Sequence, residues 1–171
     1  MSDTKAEVIG RALTTDEIER LCGFAVATGL LEVGNGESLA NNKGPDLVRY
    51  GAIPGEPWCA AFVDYCFAHA CYAAKIKHEI KRSLNAKRLG KNIGAIGRIF
   101  HEPEWTEPGD VVVWHRGLNP FSGHIGLVLS SDKDGIVTTI EGNVGPFPSK
   151  VKQLKHDTHN ERVAFFASLR Q

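Results

Sequence analysis

The segment Gly55-Glu56-Pro57-Trp58-Cys59-Ala60-Ala61-Phe62 brings a cysteine out of a proline-containing loop, and Phe62, Val63, Cys66, Phe67 and Ala70 then follow at helical spacing. Cys59 therefore falls in the first turn of a helix expected over 58–74. There it meets unpaired backbone N–H groups and the positive end of the helix dipole, which favour thiolate over thiol. The same N–H groups are suited to hold an oxyanion. A free cysteine on an apolar helix face is also what a small core residue looks like. Nucleophilic chemistry follows only if a base is at hand.

The chain has seven histidines, at 69, 78, 101, 115, 124, 156 and 159. His124 stands apart, because Gly123-His124-Ile125-Gly126-Leu127-Val128 sets it at the start of an apolar strand with a glycine two residues on. Alternation puts His124 and Gly126 on one face, beside a strip without side chains where a backbone or a substrate can approach. His115, after Trp114, is a rival base. Another run ends Thr139-Ile140-Glu141-Gly142-Asn143. If that strand persists, Glu141 and Asn143 share a face, and either is able to fix the imidazole tautomer. The same residues also suit a turn.

These residues need helices and strands to hold them. Thr14 with Glu17 forms a capping box, and Ile18, Leu21, Cys22, Ala25 and Val26 follow at helical spacing, so a first amphipathic helix is expected, ended by Gly29. A polar loop rich in Gly and Asn follows over 32–43, and Pro45 opens a short helical turn through Tyr50. Residues 75–98 are basic at Lys75, Lys77, Lys81, Arg82, Lys87, Arg88, Lys91 and Arg98 against the single acid Glu79, and suggest a glycine-interrupted helix with a positive face. After Pro108-Gly109 the pattern becomes strand-like over 110–114, 125–130, 136–141, 151–154 and 163–169. Helices first and strands last imply an α+β domain with an antiparallel sheet.

At 171 residues, with 42% hydrophobic and 23% charged residues, one globular domain over 1–171 is expected. Zero formal net charge argues against a global field that recruits nucleic acid or a membrane. The run from Lys75 to Arg98 lacks a matched aromatic platform and reads as a solvated face, so no nucleic-acid partner is expected. Residues 1–10 hold no apolar run of secretory length, and no stretch of about 18 apolar residues suggests a membrane span. Synthesis in the cytoplasm without a Sec signal is the expectation. Cys22, Cys59, Cys66 and Cys71 show no paired spacing and read as thiols. A zinc cluster of Cys66, His69, Cys71 and His78 is disfavoured, because Cys71 lies about 140° round the helix from Cys66.

Taken together, Pro57-Trp58-Cys59-Ala60-Ala61-Phe62-Val63, Pro108-Gly109-Asp110-Val111-Val112-Val113, Gly123-His124-Ile125-Gly126-Leu127-Val128 and Ile140-Glu141-Gly142-Asn143 resemble, in order and rough spacing, the CHAP family of cysteine, histidine-dependent amidohydrolases/peptidases. These are related to NlpC-type papain-like enzymes. Asn41-Asn42-Lys43-Gly44-Pro45 and Tyr50 resemble the segment before the nucleophile, and the resemblance covers about 32–143. Ser83-Leu84-Asn85-Ala86-Lys87 partly resembles the segment after the nucleophile helix, without the tryptophan usual there.

The resemblance implies a papain-like α+β fold, with N-terminal helices packed on an antiparallel sheet, and hydrolysis of an amide bond in peptidoglycan peptides. It implies Cys59 as nucleophile, His124 as base and then acid, Glu141 orienting the imidazole and Asn143 supporting the site. Trp58, Gly123 and Gly126 are expected along the substrate path. The expected bearer is a monomer without a separate wall-binding domain. Its expected role is an antibacterial effector exported by a non-Sec route such as type VI secretion, acting in the periplasm or cell wall, with a cognate immunity protein as partner. A phage endolysin, or an amidase for a conjugate such as glutathionyl-polyamine, is the alternative. No cofactor is expected, and for metals the carboxylates before the nucleophile, Glu32, Glu37, Asp46 and Glu56, form no calcium-type cluster. Activity is accordingly expected to be unchanged by EDTA; loss in the chelator, restored by calcium, would contradict this.

Overall fold

The computed structural model describes residues 12–171; the reading of residues 1–10 lies outside them. Helix α1 (Thr15–Leu31) starts at the expected capping box, in which the Glu17 amide donates to Thr14 Oγ1 and the Thr14 amide donates to Glu17 Oε2. It does not end at Gly29. A Cβ there would lie 3.3 Å from Ile140 Cδ1, so this glycine lets the helix approach the sheet, and α1 runs on to Leu31. Helix α2 (Pro45–Arg49) follows the polar loop, and α3 (Cys59–Ala74) buries most of its circumference in the core. Helix α4 (Ala86–Gly94) is capped by Asn85 and turns Leu89 and Ile93 inward. Its Arg88 and Lys91 stay exposed, as a solvated positive face requires.

The strands are β1 (Arg98–Phe100), β2 (Val111–His115), β3 (Gly123–Ser131), β4 (Ile136–Val144), β5 (Lys150–Asp157) and β6 (Val163–Ser168). They form one antiparallel sheet in the order β1-β6-β2-β3-β4-β5. The sequence pattern does not predict β1, because three residues on an edge are too short to show alternation. One face of the sheet takes Val111, Val113, Ile125, Leu127, Ile140 and Phe165 into the main core with α1, α3 and α4. The other face carries a smaller cluster of Phe100, Val112, Trp114, Val128, Val137 and Phe166. Among the described residues no helix is long and apolar enough to cross a membrane.

Gly142 also sets how closely these layers meet, and Gly23 does not. At Gly142 a Cβ would fall 2.7 Å from the Trp58 ring and 2.8 Å from Phe62 Cβ, both fully buried. At Gly23, on the exposed side of α1, a Cβ would meet nothing within 4 Å. Gly142→Ala is therefore expected to destabilise the fold by about 1–3 kcal/mol through overpacking. Gly23→Ala is expected to stabilise it by about 0.5–1 kcal/mol. Urea melts of both variants check the opposite signs.

Candidate active site

The loop over 32–57 delivers the chain to α3, and two buried carboxylates shape it. Glu37 is fully buried and accepts from the Asn42 amide (2.8 Å), the Ser149 amide (2.8 Å) and Trp58 Nε1 (3.3 Å). Glu32 accepts from Arg49 Nη2 (2.5 Å), the Tyr50 hydroxyl (2.8 Å) and the Tyr65 hydroxyl (3.3 Å). Burial works against both charges, yet these donors hold both carboxyls below the ordinary carboxylate value. Trp58 stacks on Tyr50 with ring centres 5.8 Å apart and is not exposed at all. It is an anchor for the start of α3 and does not line the substrate path, which corrects the expectation from sequence.

Cys59 is the first residue of α3, and no side chain caps that helix end. Cys59 is 4% exposed, at the edge of a groove of about 600 Å³ whose walls include Glu56, Asn85, Arg116, Phe121 and Gly123. His124 is the second residue of β3 and lies opposite Trp114 of β2. Its Nε2 is 2.7 Å from Glu141 Oε2. Its Nδ1 is buried without an aligned hydrogen bond, but the ring is close enough to the Cys59 thiol to bias the titration of both. Hydrogen bonds of catalytic pairs are often misaligned until substrate arrives.

Burial opposes a Cys59 thiolate. The close His124 imidazole and its charge, the Ile125 amide and the Arg116 charge outweigh it, and the thiol sits below its ordinary pKa. Burial likewise opposes an imidazolium at His124, but the contacts with Cys59 and Glu141 raise its pKa to about 9. For Glu141, only 2% exposed, burial is overcome by hydrogen bonds from His124 and His156, by the His124 charge and by Thr139, and its pKa falls to about 2. All three shifts favour a thiolate–imidazolium pair beside an ionised carboxylate.

Of Glu141 and Asn143, the structure brings only Glu141 to the imidazole. Strand β4 shifts register between Glu141 and Val144, and Asn143 adopts φ 63°, so the alternation that would have put both on one face is broken. Asn143 Oδ1 instead accepts from the Ser149 hydroxyl at 3.0 Å. His115 is away from the thiol, with Nδ1 3.0 Å from Lys87 Nζ. Gly123 borders the groove, whereas Gly126 faces inward: a Cβ there would come within 2.7 Å of Glu141 Cγ. The strip that Gly126 leaves bare is filled by Glu141, which corrects the expectation of substrate there. Cys22, Cys59, Cys66 and Cys71 are free thiols. Among the described residues no group of three or more His, Cys, Asp or Glu side chains is placed to hold a metal ion.

Sequence reasoning passes over His156, which the fold brings to the other oxygen of Glu141 at 2.6 Å. The usable signal is alternation carried past Leu154 to His156, and it becomes meaningful only once β5 is paired with β4.

The family model for the CHAP domain matches residues 51–143. A search of the curated proteins finds no match. Among solved structures, a mutated form of the Resuscitation Promoting Factor Interacting protein RipA superposes with a TM-score of 0.57 at 18% identity, covering 95% of this chain and 67% of that one. The peptidoglycan hydrolase RipB from Mycobacterium tuberculosis gives 0.55 at 18% identity, covering 93% and 69%. The protein Ly7917 gives 0.53 at 18% identity, covering 87% and 62%. These likenesses are of fold, and they agree with the α+β, papain-like architecture expected from the sequence.

The charge arrangement predicts how the thiol reacts without any substrate. Iodoacetamide is expected to alkylate Cys59 readily at neutral pH, below the ordinary thiol range. In His124→Ala the largest opposition to burial is lost and only the Ile125 amide and the Arg116 charge remain, so the rate at pH 7 is expected to fall by about tenfold or more, as for a thiol whose pKa rises by at least one unit. Glu141→Ala is expected to slow alkylation more than Asn143→Ala. Mass spectrometry of the labelled peptide measures each rate.

Proposed function

The chain belongs to the CHAP domain family, and from that premise we propose that it hydrolyses an amide bond in the peptide stem or cross-bridge of peptidoglycan, with Cys59 as the nucleophile. The observation that carries this reading is the Cys59–His124–Glu141 arrangement at the edge of an open groove. The family match and the naming of RipB as a peptidoglycan hydrolase support the substrate class.

In this mechanism the Cys59 thiolate attacks the amide carbonyl carbon. The oxygen gains negative charge, and the uncapped N–H groups of the first turn of α3 are oriented to stabilise it. The C–N bond breaks as the His124 imidazolium gives its proton to the leaving amine. The neutral imidazole then takes a proton from water, the hydroxide attacks the thioester, and the carboxylic acid leaves as Cys59 is regenerated. Glu141 holds the ring and its charge throughout. Asn143 acts more remotely, by tying the bulge to Ser149.

Residues 1–171 serve in this reading as one catalytic unit. The setting we infer is outside the cytoplasm, as an antibacterial effector. Peptidoglycan is met only beyond the cytoplasmic membrane, and an open groove beside Cys59 offers a surface that a cognate immunity protein can plug.

Expression in a Gram-negative host is expected to be tolerated in the cytoplasm and lytic when a Sec leader is attached. Cys59→Ala should abolish lysis and the release of fragments from purified wall, while Cys66→Ala keeps both. Mass spectrometry of the fragments then distinguishes cleavage at the muramoyl-alanine link from cleavage within the peptides. Equal toxicity in both compartments would sink the wall as substrate, and full activity of Cys59→Ala would sink the mechanism.

A further inference from the structure

Beyond Glu141 the polar network continues through a second imidazole. His156 is on edge strand β5, and its side chain keeps only 15% exposure. Its Nε2 is 2.6 Å from Glu141 Oε1, and its Nδ1 is 2.8 Å from Glu161 Oε1. Ionised carboxylates only accept hydrogen bonds. Both ring nitrogens of His156 must therefore donate, which makes the ring an imidazolium.

The division of labour on Glu141 is specific. Oε2 receives His124, while Oε1 receives His156 and the Thr139 hydroxyl. A carboxylate held from opposite sides in this way cannot turn without breaking a buried bond. Glu161, the far support, is itself held, because its Oε2 accepts from Trp114 Nε1 at 2.8 Å. The Trp114 ring packs against both imidazoles, with centres 5.6 Å from His124 and 4.8 Å from His156. The chain of contacts thus closes on itself through one tryptophan.

We propose that His156 is a positioning residue for the Cys59–His124 pair: clamped between Glu161 and Glu141, it locks the Glu141 carboxylate in the orientation that receives His124. This rests on the reading of Cys59 as nucleophile and His124 as its base. The charged groups facing His156 are Glu141 on β4 and Glu161 in the turn before β6, and His124 lies across the shared carboxylate. Burial disfavours the cation, but the two carboxylates outweigh it and raise its pKa. The ring therefore stays charged above the ordinary imidazole range and loses its second proton only at higher pH.

The test uses the full chain and reads Cys59 alkylation by iodoacetamide against pH, alongside kcat and KM on purified peptidoglycan. In His156→Ala, Glu141 is free to leave His124, so the midpoint of thiolate formation is expected to rise by about one pH unit. That is about tenfold slower alkylation at neutral pH. The fall in kcat is expected to exceed any change in KM. The alkaline limb of kcat/KM should move from near the His124 value of about 9 towards the ordinary imidazole range. His156→Gln keeps a donor to Oε1 and should recover most of both losses.

NMR of the imidazole nitrogens in the unmutated protein should find His156 doubly protonated at neutral pH. This measurement decides the case even if His156→Ala does not fold. A neutral His156, or a folded His156→Ala with an unchanged alkylation profile, would overturn the proposal. So would a loss of kcat that only tracks the folded fraction, with the pH limbs unmoved. Failure of the underlying reading looks different, since Cys59→Ala would then still hydrolyse peptidoglycan.

Discussion

An ionised carboxylate in the interior of a sheet is costly unless every oxygen is matched by donors, and Glu141 imposes that constraint here. It is 2% exposed and takes hydrogen bonds from His124, His156 and Thr139. Much of the local structure follows from meeting its demand. Gly126 on β3 has no side chain because the Glu141 stem occupies that space. Gly142 turns the opposite way, against Trp58 and Phe62, so β4 presses on the buried start of α3 while its carboxylate faces the imidazoles. The bulge after Glu141 ends regular pairing with β5 just beyond the carboxylate.

The same logic operates in the loop before α3. Glu37 gathers the Asn42 and Ser149 amides and the Trp58 indole, so one carboxylate joins the loop, the end of β4–β5 and the residue preceding the thiol. Lys150 Nζ adds a bond to the Glu37 carbonyl at 2.8 Å. The helix dipole favours a thiolate only where the first turn of the helix is held still, and these bonds hold it. An irregular loop can therefore place Cys59 against a strand that starts 64 residues later, at Gly123.

Cys59, His124 and Glu141 are legible in the sequence because each announces itself by its place on an element: a first helical turn, a strand start beside glycine, a strand end. The helices before the sheet are legible for the same reason, since their periodicity is local. What is not legible depends on pairing. His156 sits among Lys152, Gln153 and Lys155, a pattern that reads as a solvated edge, and only the β4–β5 register brings it to Glu141. Glu161 and Trp114 meet across 47 positions of chain. Gly29 carries a different ambiguity, because a glycine that ends a helix and one that lets it touch a sheet look alike until the sheet is present. Trp58 resembles a substrate contact by its place next to Cys59, and its burial follows from the Glu37 and Tyr50 contacts that local pattern does not contain.

Stability and reactivity draw on the same charges. Glu141 falls from an ordinary 4.5 to about 2, so its contribution to folding is fully present above pH 4.5 and is lost as pH falls through 2. His124 rises from 6.5 to about 9, so its contribution is full below pH 6.5 and is lost as pH rises through 9. Between pH 4.5 and 6.5 both terms are complete, and at pH 7 most of the His124 term remains. The depressed Cys59 thiol and the raised His124 imidazole express one interaction from its two sides. The window in which the network supports the fold therefore overlaps the window in which the imidazolium can hold a thiolate. Active sites often retain a charge that the folded state would be more stable without. Here the carboxylate that charges the imidazole is itself satisfied by the fold, and the reactive state is also a stabilised one.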